Sequence, residues 1–117
     1  MPLSKKFDVN FRFTRFGQVI SGIAFKEKEG VIASFKFKVE RNPSNVLILK
    51  AVLKNSGGEV YNVINEILTR CVRKRPKHVI RKDGHVCLYL ELKEDEVREV
   101  IEKIEKFLKE GRRLGDY

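Results

Sequence analysis

Thirteen consecutive residues, Arg70 to Lys82, read RCVRKRPKHVIRK; seven of them (Arg70, Arg73, Lys74, Arg75, Lys77, Arg81 and Lys82) are basic and none is acidic. Such a run is suited to meeting phosphates, because arginine offers a planar two-pronged donor and lysine a compact point charge. A helix C-terminus also favours cations and accounts for Arg73, Lys74 and Arg75 without any ligand. It does not account for Lys77, Arg81 and Lys82, so phosphate contact is the preferred reading.

A second constellation lies near the N-terminus. FDVNFRFTRF, Phe7 to Phe16, interleaves rings with arginines, as a surface that stacks unpaired bases would, and as an amphipathic strand with one wet face would too. Period-two alternation puts Phe7, Phe11 and Phe13 on one face and Arg12 on the other. Val31 to Glu40 alternates in the same way, with Phe35 and Phe37 against Lys36 and Lys38. If the phenylalanine faces are buried, Arg12, Lys26, Lys36 and Lys38 form a positive sheet surface; the competing reading is a solvated face whose lysines deter edge pairing. Phe25 follows the buried set. Phe16 falls on the polar face of its strand, and Tyr89 falls beside His78 on the polar face of a hairpin. These rings, with Tyr61, are the stacking candidates, against the alternative of plain amphipathic surface.

Other chemistries find little support. Cys71, His78, His85 and Cys87 lie close in sequence, but no C-x-x-C or H-x-x-x-H spacing joins them, so no metal is expected. NSGGE, from Asn55, is a lone Gly-Gly at a helix start and reads as a turn rather than a phosphate loop. No nucleophile with a base and an orienting partner can be assembled. A non-catalytic protein without a cofactor is the expectation.

The elements that must position these residues can be read from periodicity. Phe7 to Arg15, Gln18 to Lys26 and Val31 to Glu40 form an antiparallel meander with Gly17 and Gly30 at the connections. In the second strand Val19, Ile23 and Phe25 are assigned to one side, Gln18, Gly22 and Lys26 to the other. SNVLILKAVLK is open: a fourth strand would place Leu47, Leu49, Ala51 and Leu53 on one face, whereas a helix capped by Ser44 would bury nearly everything except Lys50 and Lys54. The strand is preferred. Ser56 and Glu59 have capping-box spacing, and Val60, Val63, Ile64, Ile67, Leu68 and Cys71 recur at helical spacing until Pro76. Around Asp83-Gly84 a two-residue hairpin turn would set Arg81 opposite Val86, Ile80 opposite Cys87, Val79 opposite Leu88 and His78 opposite Tyr89. Glu94 to Glu110 is an amphipathic helix with Val97, Val100, Ile101, Ile104, Phe107 and Leu108 on one stripe, available to the core or to a dimer contact. The fold class is α+β: an antiparallel meander of three to four strands, a helix, a β-hairpin and a C-terminal helix.

At 117 residues and 13.6 kDa the chain suits one domain, with residues 111–117 a mobile tail. The longest apolar run, Val46 to Leu49, is far too short to span a bilayer, no signal-peptide core precedes it, and two cysteines cannot make a disulfide framework. A soluble cytoplasmic protein is expected, and the Lys, Glu, Ile and Val usage leans towards a thermophile. The formal charge is +9, but residues 1–93 alone carry +11, from nineteen bases and eight acids, because the last helix is acidic. A positive field confined to the body of the chain points to a polyanion partner, nucleic acid above all.

The segments FDVNFRFTRFG, ASFKFKVERNP and RCVRKRPKHVIRKDGHV, in this order of elements, resemble the archaeal single-strand-binding proteins that lack an OB-fold, the ThermoDBP-related group. The ββββα opening is also similar to the whirly/PC-four-like single-strand binders. The resemblance is one of pattern over most of the chain. It implies a groove lined by rings and flanked by bases that admits single strands of DNA or RNA, often between subunits of a homodimer or higher homo-oligomer. Arg12, Phe16, Lys36, Lys38, Arg70, Arg73, Lys74, Arg75, Lys77, His78, Arg81, Lys82 and Tyr89 are the expected contacts. The alternatives are a winged-helix-like transcription factor that binds duplex DNA, which requires a helix over Val46 to Lys54, and an oligomeric scaffold whose basic charge is incidental.

Overall fold

The computed structural model describes residues 9–54, 58–80 and 83–110. Within them the chain runs β1 (Asn10–Phe16), β2 (Val19–Lys26), β3 (Gly30–Arg41), β4 (Leu47–Lys54), α1 (Gly58–Val72), β5 (Lys77–Ile80), β6 (Val86–Leu92), a single 3-10 turn at Glu94–Glu96, and α2 (Val97–Lys109). All six strands join one antiparallel sheet in the order β1-β2-β3-β4-β6-β5. The α+β class is therefore as expected, and the hairpin extends the meander into a single sheet through the pairing of β4 with β6.

Each connection has a local cause. Gly17, at φ 63°, closes the two-residue loop between β1 and β2, and Gly30, at φ 77°, ends the β2–β3 loop; both values favour glycine because it lacks a Cβ. Between β3 and β4 the Asn42 side-chain oxygen accepts the N–H groups of Ser44 and Val46, each at 2.9 Å, while Asn45 takes φ 65°. This turn returns the chain antiparallel to β3 and uses the Ser44 N–H, so Leu47–Lys54 continues as a strand. Ser44 caps no helix there. At the end of α1, Arg73 adopts φ 60° and its N–H bonds the Thr69 carbonyl at 2.7 Å, a left-handed helix stop.

Both helices cover one face of the sheet. Ile20, Ala24, Phe35, Phe37, Leu49, Ala51, Leu53, Leu88 and Leu90 meet Val60, Ile64, Ile67 and Leu68 of α1 and Val100, Ile101 and Ile104 of α2 in a continuous core. The stripe of α2 is thus consumed inside the chain. Phe11, Phe35 and Phe37 stack edge to face, with ring centroids 5.6 and 5.7 Å apart. The expectation that Phe11, Phe13, Phe35 and Phe37 pack inward holds; Phe7, the Ser56 cap and the 111–117 tail lie outside the described residues.

Two face assignments need correction. In β2 the inward residues are Ile20, Gly22 and Ala24, so Val19, Ile23 and Phe25 point away from the helices. The reason is volume rather than hydrophobicity. Gly22 lies between Phe13 and Phe35, and Ala24 lies beside Phe11, so small residues make room for the rings of the neighbouring strands. In the hairpin, Ile80 pairs with Val86, Val79 with Cys87, His78 with Leu88 and Lys77 with Tyr89, one residue away from the expected register. A one-residue slip exchanges the faces of a strand. His78 and Ile80 accordingly share the helix-side parity of Val86 and Leu88, and Lys77 and Val79 share the opposite one.

Candidate nucleic-acid interface

The face of the sheet away from the helices carries four cross-strand rows. Arg12, Ile23, Ser34 and Lys54 are consecutive register partners from β1 to β4. Beside them run Thr14, Ser21, Lys36, Val52, Cys87 and Val79, from β1 across to β5. The third row is Lys38, Lys50, Tyr89 and Lys77. The fourth is acidic at both ends: Glu40, Ile48 and Glu91. Adjacent strands lie about 4.8 Å apart, so the third row sets three cations and a ring along about 14 Å.

A shallow trough of about 890 Å³ occupies the β1–β4 part of this face, lined by Arg12, Ser21, Ile23, Ser34, Lys36, Lys38, Val52 and Lys54, with Asp83 and His85 at one side. Its floor of small and aliphatic side chains, Ser21, Ile23, Ser34 and Val52, comes from the positions that alternate with the core residues of β2, β3 and β4. The Arg12 guanidinium carbon stands 5.2 Å from the centroid of the Phe25 ring, within cation–π range. Phe25 therefore supports a cation at the edge of the open face instead of filling the core.

Charge on this face is only partly compensated. Glu40 lies 3.0 Å from Lys50 and 3.7 Å from Lys38. Lys50, above all, and Lys38 hold the Glu40 carboxyl below the usual carboxylate range, against an opposing effect of desolvation. Lys36, Lys54 and Lys77 have no ion-pair partner among the described residues. Asp83 accepts the His85 backbone N–H at 3.0 Å and sits 3.0 Å from its ring Nδ1, which orders the corner of the trough.

Five of the expected contacts, Arg12, Lys36, Lys38, Lys77 and Tyr89, come together on this face, and Phe16 joins them at the β1 edge with 88% of its surface exposed. The others do not. Lys26 shares the helix-side parity of Ile20, Gly22 and Ala24 in β2, and it pairs with Glu59 of α1 at 2.5 Å. His78 lies edge-on to Tyr61 of α1, with ring centroids 6.1 Å apart, and Tyr61 packs against the core; neither ring accompanies Tyr89. Arg70 pairs with Glu66 on α1, and Arg73 is close enough to Glu99 of α2 to help lower its pKa, so both belong to the helix layer. Lys74 and Arg75 are exposed in the connection from α1 to the sheet edge, and Arg81 and Lys82 lie outside the described residues.

Lys50, Lys54, Phe25 and Glu40 were not singled out from the sequence. The two lysines become visible once β4 is a strand, because Lys50, Val52 and Lys54 then alternate with buried Leu49, Ala51 and Leu53. Cys71 is buried on the helix side and its burial pushes the thiol pKa up to about 12, leaving no thiolate at neutral pH; Cys87 has the opposite parity. Among the described residues no group of three or more His, Cys, Asp or Glu is placed to hold a metal ion, and no helix is long and apolar enough to cross a membrane. Compared with protein-family models, with curated proteins and with solved structures, the chain matches none.

Proposed function

We propose that this protein binds single-stranded DNA or RNA without catalysis and with little sequence preference, across the face of its sheet opposite α1 and α2. The observation that carries the reading is the row Lys38, Lys50, Tyr89 and Lys77, which sets a half-buried ring among three point charges on the face opposite the two described helices. Lysines can meet backbone phosphates regardless of sequence, and a ring can stack on any base. The trough beside it, floored by Ser21, Ile23, Ser34 and Val52 and edged by Arg12, Lys36 and Lys54, offers apolar contact at the depth of a base and charge at its margins. A broad shallow face also suits unpaired bases better than a duplex, whose bases are reached by an element that enters a groove.

The duplex-binding alternative depended on a helix pair that included Val46 to Lys54. Leu47–Lys54 is instead the fourth strand, paired on both sides, and the alternative loses that support. The scaffold alternative depended on a free apolar stripe along the last helix, and Val100, Ile101, Ile104 and Leu108 are buried within the chain.

Fluorescence anisotropy with labelled single-stranded and duplex oligomers at two salt concentrations tests the proposal. Single strands should bind more tightly than duplex, with affinity falling steeply as salt rises. Tyr89→Ala should weaken single-strand binding by about 1–3 kcal/mol, as loss of one stacked base does. Equal binding of the two substrates, or none of either, rejects the reading.

A further inference from the structure

Glu40 is a carboxylate at the margin of the basic face, one row from Lys38 and Lys50, and its placement is specific. It follows Lys38 by two residues on the same side of β3, and Lys50 lies across on β4, directly opposite Lys38. One oxygen, Oε1, is 3.0 Å from the Lys50 ammonium and 3.7 Å from that of Lys38. That oxygen is shielded from solvent and has no well-aligned hydrogen bond. Two ammonium groups thus converge on one anionic oxygen whose geometry satisfies neither fully. Two non-bridging oxygens on one phosphodiester could satisfy both.

We infer that the Lys38–Lys50 pair is a subsite for a backbone phosphate, and that Glu40 serves as its internal counterion in the free protein. The inference rests on the proposed binding of single strands. Phosphate binding elsewhere on a basic surface releases mobile counterions to solution and so depends on salt. At this subsite the group displaced is a tethered carboxylate, which is never released. Contacts by Lys38 and Lys50 therefore add affinity only at the expense of the Glu40 contacts, and they add nothing to the salt dependence. Glu40 sets how tightly the face holds a strand, and it disfavours weak anions that cannot replace a carboxylate held between two lysines.

Glu91 provides the control. It is on the same face and in the same cross-strand row, opposite Ile48, and has no ion-pair partner among the described residues. If total charge alone mattered, Glu40→Gln and Glu91→Gln would act alike.

The experiment titrates a labelled oligothymidine with the wild-type chain, E40Q, E91Q and the triple variant K38A/E40Q/K50A over about 50 to 200 mM salt. The inference expects E40Q to bind about fivefold more tightly than wild type at the lowest salt, the size of one unit-charge interaction near 4 Å in water. It expects the slope of log K against log salt to steepen by about 0.7, the value for one additional single-strand phosphate contact. E91Q should leave the slope unchanged, and the triple variant should lose both the gain in affinity and the added slope. If wild type binds but E40Q and E91Q behave alike, or E40Q shifts affinity without steepening the slope, the subsite is wrong and the proposed function stands. Should no variant bind the oligomer, both fall together. Circular dichroism melting of each variant shows whether any loss comes from unfolding.

Discussion

Gly22 shows how much one residue decides in this sheet. An ideal Cβ on it would lie 2.0 Å from the Arg12 carbonyl oxygen and 2.8 Å from Phe13, both on the neighbouring strand β1. The obstacle is backbone, which cannot turn aside as a long side chain would. Gly22→Ala should destabilise the fold by about 1–3 kcal/mol, as overpacking does, through displacement of β1, and urea denaturation would measure it. Because Arg12 rides on β1, the same change should also weaken single-strand binding. In the sequence Gly22 is one polar-side residue of an imperfectly alternating strand. Its role depends on Phe13 and Phe35, which flank it only after β1, β2 and β3 have paired. Phe16 illustrates the opposite case: its parity was legible from its own strand, and the residue is exposed.

Among the elements, strength should follow position in the sheet. β3 and β4 are paired on both sides and bury Phe35, Phe37, Leu49, Ala51 and Leu53 beneath the helices, whereas β5 is a four-residue edge strand with every residue exposed. Native-state hydrogen exchange should therefore find the slowest amides in β3 and β4 and the fastest strand amides in β5. Uniform protection across all six strands would contradict this packing. The same contrast explains which elements could be read from sequence. α1, α2, β1 and β3 carry strong periodic apolar patterns, and their faces were legible. β5 has two apolar residues and no buried side, so its own sequence does not fix a register; β6 and the turn do, and a pairing one residue from the two-residue hairpin exchanged His78 for Lys77 beside Tyr89. β2 misled because the side facing the core is its small-residue side.

For the whole molecule the arrangement of charge outweighs its total. The acids of α2 lie in the helix layer, where Glu105 holds Arg15 at 3.1 Å and Glu99 holds Lys103 at 2.9 Å, while the sheet face opposite the helices keeps Arg12, Lys36, Lys54 and Lys77 without ion-pair partners among the described residues. One side of the chain is thus close to balanced and the other positive. Reversing Lys36 and Lys54 together (K36E/K54E) should reduce single-strand affinity by a larger factor at low salt than reversing Lys74 and Arg75 (K74E/R75E), although both pairs change the net charge equally. Anisotropy at matched ionic strength would show it. If the two pairs gave equal losses, the sheet face would have no special part in binding.

The amino-acid sequence by itself determined the α+β class, the alternation of β1 and β3, both helices with their buried stripes, and the bias of the body of the chain towards positive charge. Each of these is local, set by a periodicity or a composition that neighbours in the chain already share. Only the tertiary structure decided that the hairpin joins the meander in one sheet, that both helices cover the same face, and that the dense basic run from Arg70 is divided between helix layer and sheet. It also brought Lys50 beside Lys38 and Glu40, and set Lys77 against Tyr89. Those outcomes depend on cross-strand register and on the fit of small residues against large ones, which are properties of pairs of segments distant in sequence.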